Sequence, residues 1–236
     1  MTHSSDIALT TAQCRKLRRQ LAPFLHELPI FPLYQVELFP SAILPLYVFE
    51  PRYRELTAAC LERGGILAIP ALRPGFRDEY YGRPPIRRIA GLGKIVAYRK
   101  NPDGTYNILL RGLGRVGIRE ELPAREQCLY REVRAQLLRD RWPSDYDLLA
   151  ARRTLVALTE RLAALMPEGG QALRTLCAEP RPRRLCDILS AALVRAPKLR
   201  LKLLESRDVP TRVDLLSREL ARLIAARQGG TAPGSN

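Results

Sequence analysis

Glu50, Arg52 and Tyr53, set around Pro51, come closest to a reactive arrangement in this sequence. A carboxylate at the start of a helix is favoured by the free N–H groups and the dipole there, and a guanidinium two residues on can hold it in place. Acid–base catalysis needs a nucleophile or a second carboxylate within reach as well, and none accompanies this group, so it reads as structural. The other signatures of chemistry are missing. No G-x-x-x-x-G-K-[ST] loop occurs, and none of the five lysines (16, 94, 100, 198 and 202) follows a glycine loop able to cradle phosphate. The GLGK string at 91–94 lies inside a strand pattern, and there is no G-x-S-x-G or H-E-x-x-H. Five cysteines, at 14, 60, 128, 177 and 186, show no C-x-x-C spacing, and only His3 and His26 are available to join them. Several fall at apolar positions of helical patterns and read as buried, reduced thiols, so no metal and no other cofactor is expected.

The net charge of +15 raises the question of a polyanionic partner. The excess is spread along the chain, with 4 basic against 2 acidic residues in 1–27, 14 against 9 in 28–122 and 21 against 13 in 123–236. A diffuse basic surface gives solubility and weak, salt-sensitive contact with nucleic acid; a specific site needs a cluster on one face. The densest runs are RKLRR (15–19), RPRR (181–184) and RAPKLRLK (195–202), each also readable as a solvated helix face. No apolar run approaches the ~20 residues that cross a bilayer. The first residues lack the basic-then-apolar plan of a secretory signal, so no membrane role and a cytoplasmic location are expected.

Stepping along the chain, residues 1–9 and 229–236 read as disordered, and TTAQCRKLRRQLA (10–22) as a short amphipathic helix. Two proline-interrupted apolar runs, 30–34 and 43–49, read as edge or bulged strands, because proline lacks the N–H that a central strand donates. Pro51 suits a first helical position, and Gly64-Gly65 ends the helix it opens. Ile66 to Leu72 is a continuous strand-length run. Residues 73–88 form a Pro- and Gly-rich loop that carries Phe76, Tyr80 and Tyr81. Residues 89–100 and the stretch from Thr105 make a hairpin about the Asn101-Pro102-Asp103-Gly104 turn, with glycines 91, 93, 112, 114 and 117 as bulges or bends. Residues 130–139 alternate as a further strand. From Ser144, expected as a cap with Asp147 three residues on, the period is helical: one helix ends at Met166-Pro167, a short one covers 170–178, another ends at Pro197, and a last one is capped by Asp208.

Three of these blocks, taken in order, resemble the N-terminal, substrate-binding domain of Lon proteases. The first is LPIFPLYQVELFPSAILPLYVFEPRYR (28–54), whose EPRYR form is similar to bacterial proteins built from that domain alone. The second joins the Pro102-Asp103-Gly104 turn to Gly112-Leu113-Gly114-Arg115-Val116. The third is LCDILSAAL (185–193) with KLLESRDVPTRVDLLSREL (202–220), where Leu201-Lys202 replaces the family's usual Gln. The resemblance covers about residues 28–227. It implies an α+β fold: a PUA-like β-barrel followed by a C-terminal helical bundle, divided as a start and short helix (1–27), barrel (28–142), bundle (143–228) and tail (229–236). The ATPase and Ser-Lys protease modules of full-length Lon have no counterpart in the motifs above.

The resemblance further implies a non-catalytic module that binds unfolded or extended polypeptide, by strand addition at a proline-blunted edge or through an apolar groove between barrel and helices. Tyr34, Phe39, Phe76, Tyr80 and Tyr81 are the candidate contact residues. Two alternatives stand beside it. One is RNA binding, prompted by the charge and by RNA-binding PUA-like barrels. The other is an adaptor that delivers clients to a separate protease or ATPase.

Overall fold

The computed structural model describes residues 19–79, 82–126 and 128–229. The expected N-terminal helix up to residue 18, most of the RKLRR run, Tyr80, Tyr81 and the tail from residue 230 lie outside the described residues. The strands are β1 (Leu28–Ile30), β2 (Ile43–Val48), β3 (Ile66–Leu72), β4 (Ile86–Lys100), β5 (Tyr106–Glu121) and β6 (Arg131–Leu137). Helix α1 (Pro51–Glu62) lies between β2 and β3, and α2 (Leu148–Ala164), α3 (Gly170–Leu176), α4 (Pro182–Leu193), α5 (Pro197–Glu205) and α6 (Val209–Gly229) follow the last strand.

The strands pair in the order β5–β4–β3–β1–β6, and a β5–β6 pairing closes the ring into a barrel. Only β1 and β3 run parallel within it. Its interior is filled by small and branched side chains, Ala68, Ala90, Leu92, Val116 and Val133 among them, and Leu21 just before the first strand packs into the same cluster. β5 is long enough to serve two neighbours. Its second half pairs with β6 from Val116 to Glu121, and its first half pairs with β2 from Tyr106 to Arg111. The β4–β5 hairpin therefore runs on past the end of β3, whose last partner is Lys94. Its turn closes as expected: Gly104 N–H donates to Asn101 O at 3.0 Å, and Asp103 accepts from the amide and hydroxyl of Thr105 at 3.0 and 2.7 Å.

A strap over residues 36–40 crosses the hairpin, bracketed by two left-handed residues, Gln35 (φ 57°) and Ser41 (φ 67°). It explains two of the strand glycines. A Cβ at Gly91 would sit 2.0 Å from Leu38 O, and one at Gly112 would sit 2.0 Å from Phe39 O, so the strap can lie this close only where the strands carry no side chain. Bulges do occur in the hairpin, at Leu92/Gly93 and Ile95/Ala97, but Gly91 and Gly112 answer to close backbone approach. Leu38 packs beneath the hairpin with Tyr53, Leu56, Ile95, Ile108 and Leu110, while Phe39 enters the core of the helical bundle.

The helices start and stop largely where local chemistry directs. Pro51, Pro182 and Pro197 each open a helix, at the position where a missing N–H costs nothing. Two expectations need correction. The cap of α2 is Asp147, whose Oδ1 accepts from the amides of Leu149 and Ala150 at 2.8 and 2.9 Å, and not Ser144. Pro197, read as the end of one helix, begins α5, which the sequence reading passed over.

Sheet and bundle are joined by a buried charge cluster. Arg115 on β5 donates through Nη1 and Nη2 to Asp187 on α4 at 3.1 and 2.6 Å, and through Nε to Leu204 O on α5 at 2.8 Å. Arg212 on α6 donates to the same carboxylate at 2.6 Å and pairs with Asp140 at 2.9 Å. Arg115, Asp187 and Arg212 are all almost fully buried. Burial pushes the Asp187 carboxyl up, but Arg115 and Arg212 outweigh it and hold the group below its ordinary value. Removing the shared anion leaves two buried cations with Asp140 alone to answer them, so Asp187→Ala is expected to lose about 3–5 kcal/mol in urea unfolding. A depressed carboxyl adds stability above its unfolded pKa and loses it as pH falls through the folded value. The stability gap between the wild type and Asp187→Asn is therefore expected to be full at neutral pH and to shrink below about pH 4.

Candidate functional site

Glu50, Arg52 and Tyr53 are held together by packing and pairing. Arg52 Nε and Nη2 donate to Glu50 Oε2 at 3.1 and 2.8 Å, and the guanidinium lies 4.7 Å from the centroid of the Tyr53 ring. That ring stacks on Phe31 at 3.9 Å, and its hydroxyl donates to Pro32 O at 3.3 Å. Nearby, a recess of only about 40 Å³ has room for roughly one water. Cys60 and Cys186 are buried, and burial pushes both thiols up to about 12, which leaves them without nucleophilic character near neutrality. Among the described residues, no group of three His, Cys, Asp or Glu side chains could hold a metal ion.

Of the expected contact residues that are described, Tyr34 and Phe76 come together and Phe39 lies in a separate cluster. Tyr34 is exposed and packs against Phe76, itself nearly buried, at 4.8 Å. Tyr80 and Tyr81 lie outside the described residues. Phe39 is 1% exposed inside the bundle core, beneath the Arg200 guanidinium at 5.3 Å. The strap, with Glu37, Leu38 and Phe39 buried, runs between the hairpin and the bundle.

The exposed apolar surface is elsewhere, on the part of the hairpin that outruns the barrel. Opposed residues of an antiparallel ladder share a face, so register fixes the layout. Pro45, Leu109 and Ala97 form a central row across β2, β5 and β4, and Tyr47, Asn107 and Arg99 form the next. On β4 and β5 the same face lines the barrel interior lower down, at Ala90, Leu92 and Val116. Beyond β3 it opens into a shallow groove of about 600 Å³. Tyr47 stacks on Phe49 at 6.0 Å, and these two rings are 55% and 60% exposed. Ile43 and Leu109 on this face are exposed as well, and Tyr98, opposite Ile108 on the other face, is also exposed. The opposite face of this three-stranded extension rests on Leu38 and α1, which hold it in place.

This surface had a signal in the sequence. From Ile43 to Val48 both faces of β2 are apolar, so a strand covered on one side must leave hydrophobic side chains on the other. β2 also sits at an edge. Proline fits a sheet only with its N-side turned away from the ladder, so Pro45 removes a donor from the middle of the free edge.

The arginines of 181–184 and Arg200 are committed within the molecule, while Arg195, Lys198 and Lys202 are exposed. Arg181 pairs with Glu179 at 2.7 Å, Arg183 stacks over Trp142 at 4.8 Å, and Arg184 donates to Ser41 Oγ at 2.7 Å. Arg200 pairs with the buried Glu37 at 2.7 Å and donates to Val194 O at 2.9 Å.

A closed mixed barrel joined by buried charge to a helical bundle, with exposed chemistry suited to binding, defines the class. The chain belongs to the family of the ATP-dependent protease La (LON) substrate-binding domain, whose model matches residues 27–222. It is 27% identical over 203 residues to a Lon protease of Xanthomonas oryzae pv. oryzae, covering 84% of this chain and 23% of that protein. It is 26% identical over 196 residues to Lon protease 2 of Desulfotalea psychrophila, covering 82% and 25%. The chain thus spans about a quarter of the length of these relatives, and the family match covers the substrate-binding domain alone. In fold it is similar to a Lon N-terminal domain protein from Xanthomonas campestris (TM-score 0.58, 23% identity, 80% of this chain and 96% of that one). It is also similar to the N-terminal domain of a Mycobacterium avium complex Lon protease (TM-score 0.59, 17% identity, 83% and 98%). Among the described residues, no helix is long and apolar enough to cross a membrane.

The different burial of Phe39 and Tyr47 separates a packing residue from a surface one. Phe39→Ala is expected to cost about 3–5 kcal/mol in chemical denaturation, whereas Tyr47→Ser is expected to stay within about 0.5 kcal/mol of the wild type.

Proposed function

We propose that the protein is a non-catalytic module that holds extended or unfolded polypeptide segments on the outer half of the β4–β5 hairpin. The observation that carries this reading is the exposed apolar and aromatic face of β2, β5 and β4, fixed from behind by α1 and Leu38, in a chain of the Lon substrate-binding family. Isolated exposed hydrophobic residues are ordinary on a soluble surface; a contiguous face with a firm backing marks a binding site. Pro45 disfavours edge-on strand addition, so the client's side chains enter the groove and its backbone stays hydrated. Tyr34 and Phe76, with Tyr80 and Tyr81, would extend the contact at a second point, and Phe39 serves packing. The work suits polypeptide quality control in the cytoplasm, with clients either held or passed to a separate protease or ATPase.

RNA binding draws less support, because most arginines of 181–184, together with Arg200, already have intramolecular partners.

The test is light scattering from a reduced, aggregating model protein in the presence of equimolar full-length chain. The wild type is expected to delay aggregation several-fold, and the double variant Tyr47→Ser, Leu109→Ser to lose most of that delay with an unchanged Tm. No delay by the wild type, with no photo-cross-link from the hairpin face to the client, would overturn the proposal.

A further inference from the structure

The apolar row of the hairpin face is bordered by cations that have no counter-charge among the described residues. Lys94 and Arg111 stand directly opposite one another across the β4–β5 ladder, with Ile43 beside Arg111 on β2. Like charges so placed destabilise a sheet. Both side chains are exposed, and neither forms an ion pair among the described residues. At the other end of the face Arg99 is exposed and likewise unpaired among the described residues. The nine residues that register places here are Ile43, Pro45 and Tyr47, then Arg111, Leu109 and Asn107, then Lys94, Ala97 and Arg99, with no carboxylate among them. The acids that hold arginines in pairs lie away from this face, among them the buried Asp187 and Glu121, which holds both Arg83 and Arg131.

Resting on the polypeptide-holding reading above, we infer that this face selects extended segments in which an apolar residue is flanked by Asp or Glu. Charge complementarity fixes the occupant, and spacing fixes the pattern. Along β5, Leu109 lies two residues from both Arg111 and Asn107, and Asn107 is opposite Arg99. An extended chain repeats its side chains on one face every two residues, about 6.6 Å. A segment lying along β5 therefore sets its apolar side chain over Leu109 and Pro45 when its neighbours two residues away are acidic. One carboxylate then meets Lys94 and Arg111, and the other meets Arg99. The aliphatic character of the central row favours a peptide side chain over a stacked base.

The test is fluorescence anisotropy with three labelled 12-residue peptides that share a Leu/Phe pattern and carry Glu, Gln or Lys at the flanking positions. The Glu peptide is expected to bind about tenfold more tightly than the Gln peptide at low salt, and the Lys peptide more weakly still. The preference is expected to fade by 0.5 M salt and in the double variant Lys94→Gln, Arg111→Gln, while Arg111→Lys retains it. Arg99→Gln, on a separate row, gives an independent partial loss. Equal binding of Glu and Gln peptides would overturn the charge selection and leave the holding function standing, whereas binding of none of the three would remove both. A Glu preference that survives the double variant would also overturn the inference. So would a single-stranded RNA oligonucleotide that binds more tightly than any peptide and displaces the Glu peptide.

Discussion

The architecture depends on one carboxylate placed between two guanidinium groups. Asp187 is contacted by Arg115 from the sheet and Arg212 from the last helix, and Arg115 also reaches two carbonyls at the end of α5. Withdrawing these charges from water costs several kcal/mol per ion, which only near-complete mutual pairing offsets. In return the contact has direction. Apolar surfaces tolerate sliding, but a bidentate pair holds at one distance and one angle. β5, α4, α5 and α6 are thereby fixed in one arrangement, and the second and third stretches of sequence that bear the family resemblance meet at this point.

The strap builds on that joint. Within three consecutive residues, Glu37 is tied to Arg200, Leu38 packs under the hairpin and Phe39 sits in the bundle. Two non-glycine residues in the left-handed region mark its ends, a backbone cost of about 1–2 kcal/mol each. Ser41 offsets part of it, since its amide donates to Gly112 O at 2.8 Å and its hydroxyl accepts from Arg184. The surface proposed to hold clients therefore has its backing assembled before any client arrives, and ordering entropy falls mainly on the client.

Much of the fold was legible where a residue's local chemistry is also its global role. Ile66–Leu72 read as a strand to the residue, and Pro51 announced α1 through the same fixed φ and absent N–H that place it there. The misreadings share a cause. A proline can follow one helix or open the next; α4 already stops at Leu193, and Pro197 opens α5. Asp147 and Ser144 are both good caps, and the choice rests on where α2 meets the bundle. Phe39 looked like a contact residue because aromatic rings serve cores and surfaces equally; nothing in its neighbours foretold that the strap would carry it between two layers. Arg200 and Arg184 read as possible solvated charge, because Glu37 and Ser41, which they meet, are far away in the chain.

The overhang of the β4–β5 hairpin has a consequence for the molecule's conduct towards its own copies. An extension beyond the barrel has two lateral margins, β2 on one side and the far end of β4 on the other, and unpaired margins invite strand-to-strand joining between identical chains. One margin carries Pro45 and the other carries Arg99 and Lys100, a missing donor against two repelling charges. A surface proposed to hold foreign chains thus has both margins guarded against strand-to-strand joining with its own copies.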